Sequence, residues 1–129
     1  MFEMKDSGQR EHFNTGAVRD VREGKGRYDL ITPYGLRRLA VVYERGAKKY
    51  ADRNWEKGMP HCRYADSAMR HLQQWLQGDS DEDHLAHAAW NLFAIMHMQE
   101  IHPELDDRPN MLVKAPKKNL VEELQEYCN

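Results

Sequence analysis

Cysteine is nearly absent: Cys62 and Cys128 are the only two in 129 residues. They show no metal-ligand spacing and no secretory context, which argues against a disulfide framework or a zinc finger and reads them as reduced thiols. Long apolar runs are missing as well. No stretch approaches the roughly 18 residues of a membrane span, and no signal-peptide core follows Met1, so the expected location is the cytoplasm, with no membrane partner. There is no basic excess either. A formal charge of -2 and a pI near 6.4 argue against a nucleic-acid partner, which needs surplus Lys and Arg. Apolar residues make up only 40% of the chain against 31% charged. One subunit has limited material for a core, which predicts a homo-oligomer, dimer or tetramer. The length suits one domain, residues 1–129. No alternating apolar pattern marks a strand, and no repeat or low-complexity block appears.

What is there is helical. Residues 1–14 are polar and unpatterned, read as a loose arm. Thr32-Pro33 is a helix start, with threonine as N-cap and proline at the first helical position. Leu36, Leu39, Ala40, Tyr43 and Ala47 then recur at helical spacing to about Tyr50. A second helix runs from about Arg63 to Gln77, with Ala65, Ala68, Met69, Leu72, Trp75 and Leu76 as its expected apolar face, and Gly78 stops it. A third extends from Asp83 to about Ile101, before Pro103. Asp106 to Pro116 reads as a linker, and Asn119 to Tyr127 as a short terminal helix. The predicted class is an all-α bundle of about four helices.

The third helix carries the most informative pattern. In Asp83-His84-Leu85-Ala86-His87-Ala88-Ala89-Trp90-Asn91, the residues Asp83, His87 and Asn91 fall on one line with His84 beside it, inside an otherwise apolar helix. Imidazoles and carboxylates so spaced converge on one point, which suits a divalent metal or a phosphate. The same residues also fit a helix capped by Asp83 whose histidines bond a neighbouring helix or a second subunit.

Other features carry two readings each. Asp66 and Arg70 stand at i and i+4 with His71 at the border of the apolar face; such a pair is ordinarily a solvated salt bridge. Glu44 and Lys48 share a face. Gly46 sits in mid-helix at a cost of about 1 kcal/mol, which points to close approach of a helix or a ligand. Trp55, after Asn54 in a polar loop, can stack on a base or plug the core. The Gly24-Lys25-Gly26-Arg27 turn offers backbone amides and two cations to a phosphate, or is a flexible basic turn. It is not a P-loop, since no Ser or Thr follows the lysine. Asp79-Ser80-Asp81-Glu82-Asp83 begins like an EF-hand but has His84 and Trp90 where Gly and Glu are needed. No His-Asp dipeptide occurs, which counts against HD-type phosphohydrolases.

Several blocks resemble a family found largely in phage genomes, the dATP/dGTP diphosphohydrolases (MazZ-like), relatives of the MazG-like all-α nucleotide pyrophosphohydrolases. They are Gly16-Ala17-Val18-Arg19-Asp20, Gly24-Lys25-Gly26-Arg27-Tyr28-Asp29-Leu30-Ile31, Gly46-Ala47-Lys48-Lys49-Tyr50, Arg53-Asn54-Trp55-Glu56-Lys57-Gly58, Asp66-Ser67-Ala68-Met69-Arg70-His71-Leu72 and Asp81 through Asn91. The resemblance spans residues 15 to 100 or so. It implies hydrolysis of a purine deoxynucleoside triphosphate to monophosphate and pyrophosphate with a divalent metal (magnesium, manganese or cobalt), and in some phages a place in 2-aminoadenine DNA synthesis. The chain departs from the wider MazG-like pattern of Glu-x-x-Glu followed by Glu-x-x-Asp. It has His84-x-x-His87 at the second position, and Asp66 lacks a carboxylate three residues on. Imidazole suits manganese, cobalt or zinc better than magnesium.

The expected site therefore lies between the first three helices. Glu44, Asp66, Asp83 and His87 are the expected metal ligands and catalytic groups. Lys25, Arg27, Lys48 and Arg70 offset the phosphate charge. Asn54, His71, His84 and Asn91 contact substrate or support the ligands, and Trp55 stacks on the base. Two rivals stand beside this reading. One is a non-catalytic helical binding or assembly protein whose histidines form a satisfied core network. The other is a nucleic-acid binder using Lys25, Arg27, Lys48 and Lys49, disfavoured by the net acidity.

Overall fold

Four α-helices and one small hairpin make up the residues described by the computed structural model, 4–109 and 120–128. Helix α1 spans Pro33–Lys49 and starts as its chemistry dictates, with the Thr32 hydroxyl accepting from the Gly35 N–H at 3.3 Å. Helix α2 spans His61–Leu76, and Gly78 beyond it takes a φ of +88° that favours glycine. Helix α3 spans His84–Ile101, capped by Asp83, whose carboxylate accepts from the Ala86 N–H at 3.2 Å. Helix α4 spans Leu120–Cys128. The all-α expectation holds. The expected linker from Asp106 to Pro116 falls largely outside the described residues.

Two tethers fix the pairing of α2 with α3. His61, at the start of α2, donates from Nε2 to the His102 carbonyl just past α3 at 3.1 Å; His71, near the end of α2, meets His84 at the start of α3. The two helices are therefore antiparallel. Helix α1 runs parallel to α3 instead: Arg38 pairs with Asp83, and further along Tyr43 meets Trp90 with ring centroids 6.0 Å apart. Helix α3 is thus the shared wall of the bundle. Its interior is small. Tyr64, Ala94 and Met98 form the fully buried cluster, flanked by Trp55, Trp90 and Ile95.

The face that α2 buries differs from the expected one. His61, Tyr64, Ala68 and His71 are turned inward, while Met69 and Leu76 are well exposed and Leu72 and Trp75 about half exposed. The spacing 61, 64, 68, 71 is as helical as the apolar one. Hydrogen-bonded histidines are cheap enough to bury that they displace the apolar stripe from the interior of one chain. On α3, Leu92, Phe93 and Met96 likewise stay half exposed.

No strand was expected, yet Arg10–His12 (β1) pairs antiparallel with Val18–Asp20 (β2), in the register Arg10 to Asp20, Glu11 to Arg19, His12 to Val18. This hairpin lies partly inside the segment read as a loose arm. Its strands are too short to display alternation, and side-chain bonds to one carboxylate fasten it. Asp20 accepts from the Ser7 hydroxyl and the Ser7 N–H, and pairs with Lys25 at 2.9 Å.

Candidate functional site

Three histidines meet where α2 ends and α3 begins. Their Nδ1 atoms bring His71 and His84 to 2.9 Å, with His84 2% exposed and His71 9%. The other nitrogen of His84, Nε2, lies 2.9 Å from the Asp81 carboxylate. A carboxylate only accepts, so Nε2 carries the hydrogen, and the tautomer with its hydrogen there presents a bare Nδ1 to His71. His87, one turn along, stacks on His71 with centroids 4.8 Å apart and planes 16° apart. Burial, reinforced by His87, lowers the pKa of His71 from its usual 6.5, which favours the neutral imidazole. Glu82 completes the group: one ligand atom each from His71, Glu82 and His84 lie within 4.8 Å of one another.

Asp83, in the middle of the predicted stripe, is occupied elsewhere. Besides capping α3, it accepts two bonds from Arg38, 2.7 Å to Nε and 2.5 Å to Nη2, and this guanidinium holds its pKa down to about 2. The bidentate pair ties α1 to α3. Asn91 is buried, and its amide donates to the His87 carbonyl one turn back at 2.8 Å. The sequence stripe thus resolves into a cap, two packed imidazoles and a self-bonded amide.

A pocket of about 800 Å3 opens beside this junction, between α1, the loop after it and α3. Tyr43, Arg45, Gly46, Lys49, Trp55 and His87 are among its walls. That size is in the range of small-molecule sites. Trp55 packs on the core cluster, edge-on to Tyr43 and His97, as the core-plug reading has it, and it also lines the pocket. Among the described residues nothing packs on Gly46, since a Cβ there would meet no atom within 4 Å, so close contact with another described helix is not its reason. Gly58 is different. It has a φ of +89°, and a Cβ would lie 2.8 Å from Leu105 Cδ1, which presses the loop carrying Asn54 and Trp55 onto the end of α3.

The remaining predicted residues are dispersed. Glu44 is exposed on α1 and Asp66 on α2, where Asp66 pairs with Arg63 at 3.5 Å rather than with Arg70. Arg70 instead donates to the Ser67 hydroxyl at 3.4 Å. The i,i+4 pair is absent because Arg63, one turn earlier, reaches the same carboxylate. Lys48 is exposed and outside the pocket wall; Arg45 and Lys49, which sequence reasoning did not select, line it. Stepping three and seven residues from Val42 along the helix would have found them. Lys25 and Arg27 border a separate cleft against α4, already paired with Asp20 and Asp29.

One family model, described as dATP/dGTP diphosphohydrolase, N-terminal, matches residues 15–108. The chain belongs to this family. The matched span includes β2 and all of α1, α2 and α3, so the histidine junction and the pocket both lie inside the diphosphohydrolase-family region; β1 and α4 lie outside it. The family description indicates a hydrolase acting on nucleoside triphosphates. No curated protein and no solved structure matches the chain. Among the described residues, no helix is long and apolar enough to cross a membrane.

Proposed function

We propose that this diphosphohydrolase-family chain hydrolyses purine deoxynucleoside triphosphates, dATP or dGTP, to the monophosphate and pyrophosphate. The observation that carries the reading is the pocket: aromatic walls from Tyr43 and Trp55, cations Arg45 and Lys49 that form no ion pair among the described residues, and the His87 imidazole in one concavity. The aromatics suit a purine face, which is larger than a pyrimidine's. Arg45 and Lys49 suit the triphosphate, whose charge grows on the leaving pyrophosphate as the anhydride bond breaks. One water is consumed: its oxygen bonds to phosphorus, the α–β phosphoanhydride breaks, and the proton goes to solvent. In this reading His87, on the pocket wall, acts as the general base that takes this proton first and passes it to solvent. A divalent ion, when bound, supplies positive charge to the phosphates and lowers the pKa of water.

The chain acts as a homo-oligomer in this reading, because Leu92, Phe93 and Met96 on α3 and Met69, Leu72 and Leu76 on α2 leave much apolar surface in water that a second copy covers. Light scattering on the eluted protein measures this. In phages, such an activity fits remodelling of the nucleotide pool or 2-aminoadenine DNA synthesis.

The test is incubation with each of dATP, dGTP, dCTP and dTTP in the presence of Mg, Mn or Co, with products resolved by chromatography. A purine monophosphate with equimolar pyrophosphate is expected, and Arg45→Ala and Lys49→Ala should raise KM. A folded protein that yields no product with any pair overturns the reading in favour of a binding or assembly role.

A further inference from the structure

The geometry points to a transition-metal site made by His71 Nδ1, His84 Nδ1 and the Glu82 carboxylate, oriented by Asp81, a different ligand set from the carboxylate-rich one of Glu44, Asp66, Asp83 and His87. Metal–nitrogen bonds of about 2.1 Å at tetrahedral or octahedral angles set two ligand nitrogens about 3.0 to 3.4 Å apart. His71 and His84 stand at 2.9 Å, close to that separation before any ion arrives. Glu82 is exposed and closes the remaining distance, within the 4.8 Å spread of the three atoms, by rotating its own side chain. Three protein ligands leave positions open for water or a phosphate oxygen, the arrangement of a catalytic rather than a structural centre.

The surroundings favour ligation as well as the distances do. Asp81 accepts from His84 Nε2, the carboxylate–imidazole contact that fixes a ligand tautomer. With the proton held on Nε2, His84 Nδ1 is free to coordinate. On His71 the proton now shared between the two Nδ1 atoms leaves to solvent and one is taken up at Nε2, so the ring stays neutral. Two imidazoles and one carboxylate select manganese, cobalt or zinc over magnesium, whose preferred ligands are all oxygen. The competing carboxylates are otherwise engaged: Asp83 by Arg38 and Asp66 by Arg63. His87 connects the centre to the pocket, since it stacks on His71 and also lines the pocket wall.

The use of this ion in turnover rests on the hydrolase reading; its binding does not, and the test contains no nucleotide. Full-length protein freed of metal with a chelator is titrated with Co(II) alone, followed by visible absorption and by the melting temperature. The expected result is one ion per chain, a visible band characteristic of nitrogen ligation, and a rise in melting temperature. Glu82→Gln, a change at an exposed residue, should weaken binding at least about tenfold with the helical circular dichroism unchanged. His71→Ala should abolish the band. Absence of a band in the wild type, or a Glu82→Gln protein that binds Co(II) as the wild type does, overturns the inference. So does a band lost in Glu44→Gln or Asp66→Asn but kept in Glu82→Gln. Nucleotide hydrolysis without Co(II) binding here would defeat this site and leave the hydrolase reading standing; Co(II) binding without hydrolysis of any triphosphate would do the reverse.

Discussion

The two ends of the α2–α3 pair both bury histidine, and only one end has groups to spare. At the end where α2 starts, His61 is buried and its Nε2 is spent on the His102 carbonyl, a fixed and uncharged partner. At the other end, His71 and His84 face each other through their Nδ1 atoms, with Asp81 and Glu82 beside them and His87 stacked on top. The first arrangement satisfies a buried donor with a backbone carbonyl. The second holds lone pairs and carboxylates together, the raw material of coordination and proton transfer. Burial of a histidine is therefore weak evidence for a site; the chemistry of its partners decides.

The strongest way to break this contrast is His84→Ala. It removes a wholly buried ring, leaves the His71 nitrogen and the Asp81 carboxylate without their partner, and should cost about 2–4 kcal/mol. Denaturant unfolding measures the loss, and added Co(II) should no longer raise the melting temperature. His61→Ala sharpens the contrast from the other side. It frees one backbone carbonyl and should cost about 1–3 kcal/mol, yet the stabilisation by Co(II) should be the same increment as in the wild type. Equal loss of the metal response in both variants would mean that the two ends do not differ in kind.

Smaller in energy is Gly46→Ala, which separates a packing glycine from a pocket glycine. Open space around its Cβ position predicts that alanine stabilises α1 by about 0.5–1 kcal/mol. Since the new methyl joins the pocket wall, KM for the triphosphate should rise while the melting temperature rises too. A lower melting temperature would place a packing partner on Gly46, and an unchanged KM would put substrate elsewhere.

How legible this was from sequence differs by element. Thr32-Pro33, Gly78 and Asp83 announce helix ends by local chemistry, and the structure follows them closely because caps act within one turn. The inward face of α2 was not legible. Starting the helix near Arg63 left His61 outside it, and His71 stood only at the border of the apolar face; their partners, His102 just past α3 and His84 at its start, make the stripe buriable and belong to another element. The His84 and His87 pair was legible as a pattern, but its neighbours were not: Arg38, 45 residues from Asp83, holds that carboxylate in a bidentate pair. The partners of Lys25 and Arg27 were hidden in the same way, since cations look free in sequence until Asp20 and Asp29 are seen beside them.

The hairpin offers the mildest test, and it sets an exposed polar cluster against the buried one. Asp20 has its pKa pulled below the usual 3.8, first by the Ser7 hydroxyl and then by Lys25. A carboxylate depressed in the folded state stabilises above its unfolded pKa, and that stabilisation is lost as pH falls through the lower folded value. Amide resonances of β1 and β2 should therefore shift towards disordered values between about pH 4 and the lower limit of the titration. The Arg38–Asp83 pair titrates in the same acidic range, its carboxylate depressed to about 2, so pH alone does not isolate the hairpin. Asp20→Asn does. It should loosen β1 and β2 already at pH 7, with the α2 and α3 resonances unmoved, and diminish the hairpin's acid transition, of which the Asp6–Arg10 pair keeps a part. A hairpin that holds at pH 7 without this carboxylate would show that its ladder bonds, rather than Asp20, fasten it.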